Sequence, residues 1–281
     1  MDTAAPDATG VGCRRAWITA RRDCGPDAFV LEVEVDDPPP PQPPGRFAML
    51  SPWSEHDLGP GPVIPRPFSI YQRPAPERFT FLVQVLGPGT RALDALSLGD
   101  HVALTLPLGN GFVLPPPERP VVLVAGGVGS APFFAYLEER RAAGAGERTW
   151  LLYGARSAPR LYDLAAFAAL GTPLLTATDE GDAGFHGSVL DLLATELDAG
   201  RLPADARFAA CGPEGLLHAF ARFCRVRGLD AEVSLETYMG CGFGVCNACA
   251  VATDPDGPLG AWPWAKTCVD GPVFALEALA P

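Results

Sequence analysis

Four cysteines near the end of the chain impose the tightest constraint on what it can fold into. Cys241, Cys246 and Cys249 follow the spacing C-x4-C-x2-C, and Cys268 comes after eighteen intervening residues. Interleaved glycines leave room for a loop that wraps a flat inorganic group and turns N–H donors toward sulfur. This is the spacing of a plant-type [2Fe–2S] cluster, whereas zinc sites usually contain two C-x2-C pairs. We predict a [2Fe–2S] site and keep zinc as the alternative.

Composition disfavours several kinds of partner. The 281 residues carry a formal net charge of −12, which argues against nucleic acid and anionic membrane surfaces. The uncharged stretch 120–137 is as long as a marginal membrane span, but glycines and a proline interrupt it, so we expect no membrane partner. Eight cysteines, and an N-terminus without the pattern of a secretory signal, indicate a reducing, cytoplasmic compartment.

The first part of the chain has the pattern of β-structure. Between Trp17 and Phe112, apolar and polar residues alternate, as in LEVEV at 31–35, and proline-rich loops separate the alternating stretches. Alternation with a period of two predicts strands with one buried face. With no long helical pattern in this part, we predict a small antiparallel β-barrel over residues 13–115.

The pattern changes after the proline-rich stretch 115–120. Continuous apolar segments such as VVLVAGG alternate with helical stretches, the last of which runs from about 214 to 226. Buried strands alternating with helices predict a doubly wound parallel sheet over residues 116–232. Cys224 lies on the apolar face of that last helix and is expected in the core. The cysteine-rich remainder, residues 233–281, is predicted to form a small third unit.

A glycine-rich turn follows the first apolar strand of the second domain. Gly126, Gly127 and Gly129 stand between strand and helix, and Pro132 suits a first helical turn, where no N–H donor is needed. Such a turn lets a phosphate approach the free N–H groups of a helix start. The last glycine of the G-x-G-x-x-G fingerprint is replaced by Pro132, so a tight turn without a ligand is the alternative.

Two stretches of the first domain suit a phosphorylated aromatic ligand. In RPFS at 66–69, the arginine suits a diphosphate, and Phe68 or Tyr71 suits stacking on a planar ring. Gly89 and Thr90 lie in a second glycine turn, whose N–H groups also suit phosphate. Each feature alone is common, and an arginine before a strand is usually only exposed to solvent.

Taken in order, the motifs RPFSI, GT, PLGNGF, GGVGSAP and CGP resemble the ferredoxin–NADP reductase superfamily over residues 17–228. That resemblance implies a six-stranded barrel that binds FAD and an α/β domain that binds NAD(H). The residues that it assigns to FAD are Arg66, Pro67, Phe68, Ser69, Leu82, Val83, Gln84, Gly89 and Thr90. Those that it assigns to the pyridine nucleotide are Gly126, Gly127, Gly129, Cys211, Gly212 and Pro213. Cys211 has a second interpretation, a core thiol at the end of a strand.

The C-terminal segment narrows the resemblance. SLETYMGCGFGVCNACAV and KTCVDGPVF, with the two preceding domains, are similar to the electron-transfer subunits of dihydroorotate dehydrogenase B. That family passes electrons between NAD(H) and an FMN-containing catalytic subunit, which converts dihydroorotate to orotate. The resemblance implies a heterotetramer of two plus two subunits and assigns the [2Fe–2S] cluster to Cys241, Cys246, Cys249 and Cys268. The chain departs from the family in a long loop at 51–65 and a long gap before Cys268.

On this interpretation the chain is an oxidoreductase subunit whose cofactors do the chemistry, so no catalytic side chain is predicted. Three alternatives stay open. The chain is a subunit of another redox complex, such as an NAD(P)H–ferredoxin oxidoreductase or a hydrogenase diaphorase. It is a stand-alone reductase that supplies an oxygenase, or it is a non-enzymatic assembly protein stapled by zinc. Arg156 and Arg160 follow the second apolar strand, where they could bind the 2′-phosphate of NADP or only be exposed at a helix start. The residues therefore do not decide between NAD and NADP.

Overall fold

The structure, a computed structural model, describes residues 10–52 and 64–281. These residues form two seven-stranded sheets and a two-stranded ribbon. Most of the long loop at 51–65 lies outside the described residues, as does His56. No helix of the described part is long and apolar enough to cross a membrane.

The first sheet is antiparallel and rolled. Its strands are β1 (Gly12–Gly25), β2 (Ala28–Val35), β3 (Phe47–Pro52), β4 (Arg66–Ser69), β5 (Gln72–Ala75), β6 (Arg78–Gln84) and β7 (His101–Leu108). They lie side by side in the order β4-β3-β7-β1-β2-β6-β5. The edge strands β4 and β5 are separated in the chain only by Ile70 and Tyr71, so the two edges of the sheet meet there. The rolled sheet confirms the predicted barrel. Its seven strands correspond to the predicted six, because β4 and β5 together form one interrupted strand.

Side-chain alternation explains which face of the barrel is buried. In β2, Leu31 and Val33 lie in the barrel core, whereas Glu32 between them is half-buried on the outer face. β6 departs from this pattern because Thr80 and Leu82, on its outer face, are buried too. Leu82 belongs to an apolar cluster that continues into the second domain. That domain therefore covers the outer face of β6.

A short helix stands where the sequence predicted only a glycine turn. α1 spans Pro88–Asp94 between β6 and β7. Thr90 Oγ1 accepts hydrogen bonds from the N–H groups of Leu86 at 2.9 Å and Gly87 at 3.1 Å. Pro88 fits at the first helical position, because an N–H there would have no hydrogen-bond partner within the helix. The turn is therefore a capped helix start.

The second sheet has helices on both faces, which confirms the doubly wound prediction. Its parallel strands are β8 (Val121–Gly126), β9 (Thr149–Ala155), β10 (Leu174–Thr178), β11 (Phe185–His186), β12 (Arg207–Cys211) and β13 (Ala231–Ser234). The helices are α2 (Ala131–Ala142), α3 (Leu164–Ala169), α4 (Val189–Asp198) and α5 (Glu214–Arg227). Leu123 of β8 packs on the side of α2 and α3, and Val124 on the side of α4 and α5. Cys224 is fully buried in the second of these cores, as predicted.

The C-terminal segment is tied to both preceding domains. It forms a ribbon of β14 (Ala250–Ala252) and β15 (Trp264–Lys266), and then β16 (Val273–Ala275) pairs antiparallel with β13. Asn110, just after β7, donates from its side-chain amide to the carbonyls of Asp270 and Val273, both at 2.9 Å. Its side-chain oxygen accepts from the Val273 N–H at 3.0 Å. The cysteine-rich segment therefore extends the second sheet while it is held by the barrel.

Candidate functional site

Two adjoining clefts lie where the barrel faces the second sheet. The first has a volume of about 290 Å³ and lies against β4 and β6, and the second, of about 700 Å³, lies over the carboxyl ends of β8 and β9. Open parallel sheets bind ligands at this edge. Gln84, Leu86, Val128 and Glu236 line both clefts, so two ligands bound there would approach each other at these residues.

The first cleft brings together most of the barrel residues that were assigned to FAD. Leu82 and Gln84 face it, whereas Val83 between them points into the barrel core and is fully buried. Gly89 lies beside the cleft, because a Cβ there would stand 3.1 Å from the Arg66 side chain. The other assigned residues that line this cleft are Arg66, Pro67, Phe68, Ser69 and Thr90.

Several residues that line the first cleft were not predicted, among them Phe47, Glu236, Thr237 and Met239. Thr237 Oγ1 is buried and has no hydrogen-bond partner among the described residues, which suits a ligand with a polar edge. Glu236 is open to solvent in the cleft, yet the protein around its carboxyl excludes enough water to raise its pKa. Glu236, Thr237 and Met239 lie in the stretch SLETYMGCG, which was used for the family resemblance and for its cysteine but not for a cleft.

The second cleft contains part of the predicted nucleotide set. Gly126, Gly127 and Pro213 line it, while Cys211 lines the first cleft. Gly129 lines neither cleft, and a Cβ on it would lie 2.5 Å from the Cα of Gly212. These two glycines therefore let the turn after β8 pack closely on the end of β12.

Cys211 is a core thiol that also lines the first cleft. It is 2% exposed at the end of β12, and burial raises the pKa of its thiol. The thiol is therefore protonated near neutral pH and part of the core. It lines the first cleft, so its assignment to the nucleotide stays a prediction.

A polar network from the barrel fixes the boundary between the clefts. Asp27, in the turn after β1, accepts hydrogen bonds from Tyr162 Oη at 2.6 Å, Arg160 Nη1 at 2.9 Å and Gln84 Nε2 at 3.1 Å. Burial would raise the pKa of Asp27, but these donors lower it below its usual value. Gly25 is required nearby, because a Cβ there would lie 2.5 Å from the Tyr162 ring. The network holds Gln84 between the two clefts.

Asp163 makes a second polar connection between the domains. Its carboxylate accepts from Tyr71 Oη at 2.8 Å and from both terminal nitrogens of Arg22 at 2.8 and 2.7 Å. Burial and the neighbouring Asp163 charge raise the pKa of Tyr71, which is buried at 2% exposure. Tyr71 therefore holds the domains together and does not line the first cleft, which leaves Phe68 as the stacking candidate.

The two arginines after β9 line the second cleft and are already paired. Arg156 Nε lies 3.0 Å from Glu180 Oε1, and Arg160 Nη1 lies 2.9 Å from Asp27 Oδ2. Asp179 lines the same cleft. A 2′-phosphate would have to compete with these carboxylates for the guanidinium groups.

The four cysteines form two pairs. Cys249 Sγ and Cys268 Sγ lie 3.2 Å apart and are buried against Met49 of the barrel. The N–H of Cys246 donates to Cys241 Sγ at 3.5 Å. Burial would raise the pKa of Cys241, but N–H donors of the loop, Cys246 first among them, lower it to about 6. Within the described ranges, no three histidine, cysteine or acidic side chains are grouped around one metal position.

Glycines shape the loop around these sulfurs. Gly242 and Gly244 have φ angles of +83° and +87°, a backbone region that favours glycine. A Cβ on Gly242 would lie 2.5 Å from Met49, and one on Gly244 would lie 2.7 Å from Val269. The Gly244 N–H donates to Cys268 Sγ at 3.2 Å. Paired sulfurs with N–H donors fit a two-iron cluster, in which each iron takes two cysteines.

Exposed apolar side chains surround the cysteine loop. Tyr238 is 93% exposed, Val245 72%, Phe243 56% and Val269 51%. Exposed apolar residues that cluster on one part of a surface are typical of protein–protein contacts. The cysteine loop therefore has the character of a docking surface.

Family comparisons match two parts of the chain. Residues 236–280 match the iron-sulfur cluster binding domain of dihydroorotate dehydrogenase B. Residues 123–222 match the oxidoreductase NAD-binding domain. These ranges contain the cysteine loop and most of the second cleft.

Full-length relatives are similar over nearly the whole chain. The dihydroorotate dehydrogenase B (NAD(+)) electron transfer subunit of Desulforamulus reducens is 31% identical over 89% of this chain and 91% of its own. The corresponding subunit of Shouchella clausii is 33% identical over 93% of this chain and 96% of its own. Among solved structures, one of an NADH-dependent reduced ferredoxin-NADP oxidoreductase superposes with a TM-score of 0.77. It is 25% identical and covers 94% of this chain and 89% of its own.

Proposed function

The chain belongs to the family of dihydroorotate dehydrogenase B electron-transfer subunits, and we propose that it carries electrons between NAD(H) and a catalytic partner that oxidises dihydroorotate. One observation carries this proposal: the three candidate sites adjoin. Gln84 and Glu236 line both clefts. Phe47 and Met239 line the first cleft and also pack in the apolar cluster of Cys249 and Cys268.

The first cleft holds FAD in this proposal. Phe68 would stack on the flavin ring, and the unpartnered hydroxyl of Thr237 would be available to a polar atom of the ligand. Arg66 neutralises the diphosphate, with Ser69 and Thr90 as further polar contacts. When bound, FAD would supply the conversion between two-electron exchange with NAD(H) and one-electron exchange with the cluster.

The second cleft holds NAD(H). Gly126 and Gly127 give the diphosphate close access to the turn after β8, and Pro213 borders it from the end of β12. The paired state of Arg156 and Arg160, with Asp179 in the same cleft, favours NAD over NADP. Asp27 holds Gln84 where the nicotinamide would meet the flavin.

The cysteine loop passes electrons out of the chain. Cys241, Cys246, Cys249 and Cys268 bind the [2Fe–2S] cluster as two pairs. The space between the first cleft and the sulfurs of Cys249 and Cys268 is filled by Phe47, Met49 and Met239. These side chains exclude water from that space. The exposed apolar residues around the loop form the docking surface for the catalytic subunit.

The finer organisation is part of the same proposal. Residues 13–115 form the FAD domain, 116–232 the NAD domain and 233–281 the cluster unit, although β13 and β16 join the last two in one sheet. The catalytic subunit carries FMN, and two copies of each subunit assemble as a heterotetramer.

A second candidate function rests on the structural comparison. The similarity to an NADH-dependent reduced ferredoxin-NADP oxidoreductase favours a subunit of a complex that exchanges electrons with ferredoxin. Both functions use the same clefts and the same cysteines, so only the electron acceptor separates them.

The test is to supply each acceptor to the loaded protein. We expect NADH oxidation that depends on an FMN-containing dihydroorotate dehydrogenase catalytic subunit and on orotate, and that is lost in Cys249→Ser. Cys224→Ser is the matched control, since Cys224 is a core thiol away from the loop. Reduction of ferredoxin without any response to the catalytic subunit and orotate would contradict the dihydroorotate function and favour the second candidate.

A further inference from the structure

The chain contains a single lysine, and it stands at the cysteine loop. All other basic side chains except the histidines are arginines, and Lys266 lies two residues before Cys268. Its Nζ donates a hydrogen bond to the carbonyl oxygen of Gly244 at 2.7 Å. A chain with a net charge of −12 thus places its only side-chain ammonium group on the backbone of the cysteine loop.

Gly244, which accepts the hydrogen bond from Lys266, also contacts the sulfur of Cys268. Gly244 accepts from Lys266 Nζ through its carbonyl and donates through its N–H to Cys268 Sγ at 3.2 Å. Val269 packs so closely that a Cβ on Gly244 would lie 2.7 Å from it. Lys266 and Val269 therefore hold Gly244 in the position from which its N–H points at sulfur.

The backbone around Lys266 fixes the reach of its side chain. Its N–H donates to Asp270 Oδ2 at 2.7 Å, and its carbonyl accepts from the Asp270 N–H at 2.8 Å. The Asp270 carboxylate is thus engaged by the backbone. In the part of the chain that the structure describes, no carboxylate oxygen lies within 4.0 Å of Lys266 Nζ, so no ion pair offsets its charge.

We propose that Lys266 is a positioning residue that raises the reduction potential of the cluster, an inference that rests on the proposed function. Reduction adds one electron, and therefore one negative charge, to the group that the cysteines hold. A nearby positive charge and an N–H donor to sulfur both favour the more negative state. Lys266 supplies the charge directly and supports the N–H donor through Gly244.

The test compares Lys266→Met with Lys266→Arg on the loaded protein. The midpoint potential of the cluster is measured by anaerobic redox titration, with the paramagnetic resonance signal of the reduced cluster as the readout. We expect Lys266→Met to lower the ratio of reduced to oxidised cluster about tenfold at a given potential, which corresponds to about 59 mV for one electron. Lys266→Arg keeps the charge and is expected to stay near the parent value.

Two further variants guard against a purely structural effect. Arg148→Met removes a positive charge at the amino end of β9, far along the chain from the loop, and is expected to leave the potential unchanged. Lys266→Gln keeps a hydrogen-bond donor for the Gly244 carbonyl but removes the charge. If Lys266→Met loses the cluster, Lys266→Gln therefore measures the effect of the charge on the potential. A lowered potential in Lys266→Gln supports the proposal.

The outcomes separate this inference from the proposed function. A parent protein that binds no cluster after anaerobic reconstitution overturns both. A parent protein with a cluster, and neutral variants at 266 that keep its potential, overturns the role of Lys266 alone. A potential that falls equally in Arg148→Met also overturns it, because net charge would then explain the shift.

Discussion

Asp163→Asn is the substitution that tests most directly how the barrel and the second sheet are held together. The parent carboxylate accepts one hydrogen bond from Tyr71 and two from Arg22, and its side chain is only 3% exposed. The residue has a φ of 53°, in the left-handed region. Asparagine tolerates that region, so the substitution removes the charge without adding backbone strain.

The expected cost follows from the two partners. A hydrogen bond to a charged group contributes about 1.5–3 kcal/mol, and Tyr71 is buried enough to contribute in that range. Arg22 is 55% exposed, so solvent screens its ion pair to about 1 kcal/mol or less. Because the asparagine oxygen still accepts one bond, we expect Asp163→Asn to lower the free energy of unfolding by about 2 kcal/mol.

The assay is urea unfolding of the cofactor-loaded protein, with Tyr71→Phe and Arg22→Met as companions. We expect Tyr71→Phe to cost more than Arg22→Met, and the rate of flavin reduction by NADH to fall in Asp163→Asn because the clefts lose a constraint. A loss below about 0.5 kcal/mol, within the range of neutral surface substitutions, would refute the reasoning. So would a larger cost for Arg22→Met than for Tyr71→Phe.

Three further predictions concern the loop and the domain contacts. Gly242→Ala is expected to lower the iron content and the melting temperature, because its Cβ would clash with Met49. Gly260→Ala is the control: Gly260 has the same φ of +83° but open space around it, so this variant reports the effect of backbone strain alone. Equal losses in both variants would exclude a role for that contact. Asn110→Ala removes three hydrogen bonds to Asp270 and Val273, and we expect faster loss of iron to a chelator; an unchanged rate would contradict this expectation. The pKa of Asp27 is below its usual value, so its contribution to stability is complete above about pH 4 and is lost as the pH falls through the folded-state pKa. Unfolding measured between pH 6 and pH 3 is expected to show a shallower decline in Asp27→Asn, and an identical decline would contradict it.

Periodicity made the architecture predictable. The alternation in β2 reflects a strand with one covered face, and the uninterrupted apolar run of β8 reflects a strand covered on both faces. The predicted barrel and doubly wound sheet followed from these patterns. α1 was missed because Thr90 caps it within a stretch that has the composition of a turn.

The site was predictable only where one short stretch contains it. The cysteine spacing and RPFS are local signals, and RPFS lines the first cleft as a unit. Asp163 was missed because its partners Tyr71 and Arg22 lie far away in sequence and meet it only in the folded chain. Val83 was included because a stretch was assigned as a whole, although side chains of a strand alternate between two faces.

The measurement that tests the central claim most directly is the visible absorption of the freshly purified protein under anaerobic conditions, before and after NADH. The adjoining clefts and the paired cysteines predict flavin bands with a shoulder at longer wavelength, both of which bleach with NADH. Protein that stays colourless after reconstitution with flavin, iron and sulfide would contradict the claim. So would flavin bands that bleach while the shoulder does not change.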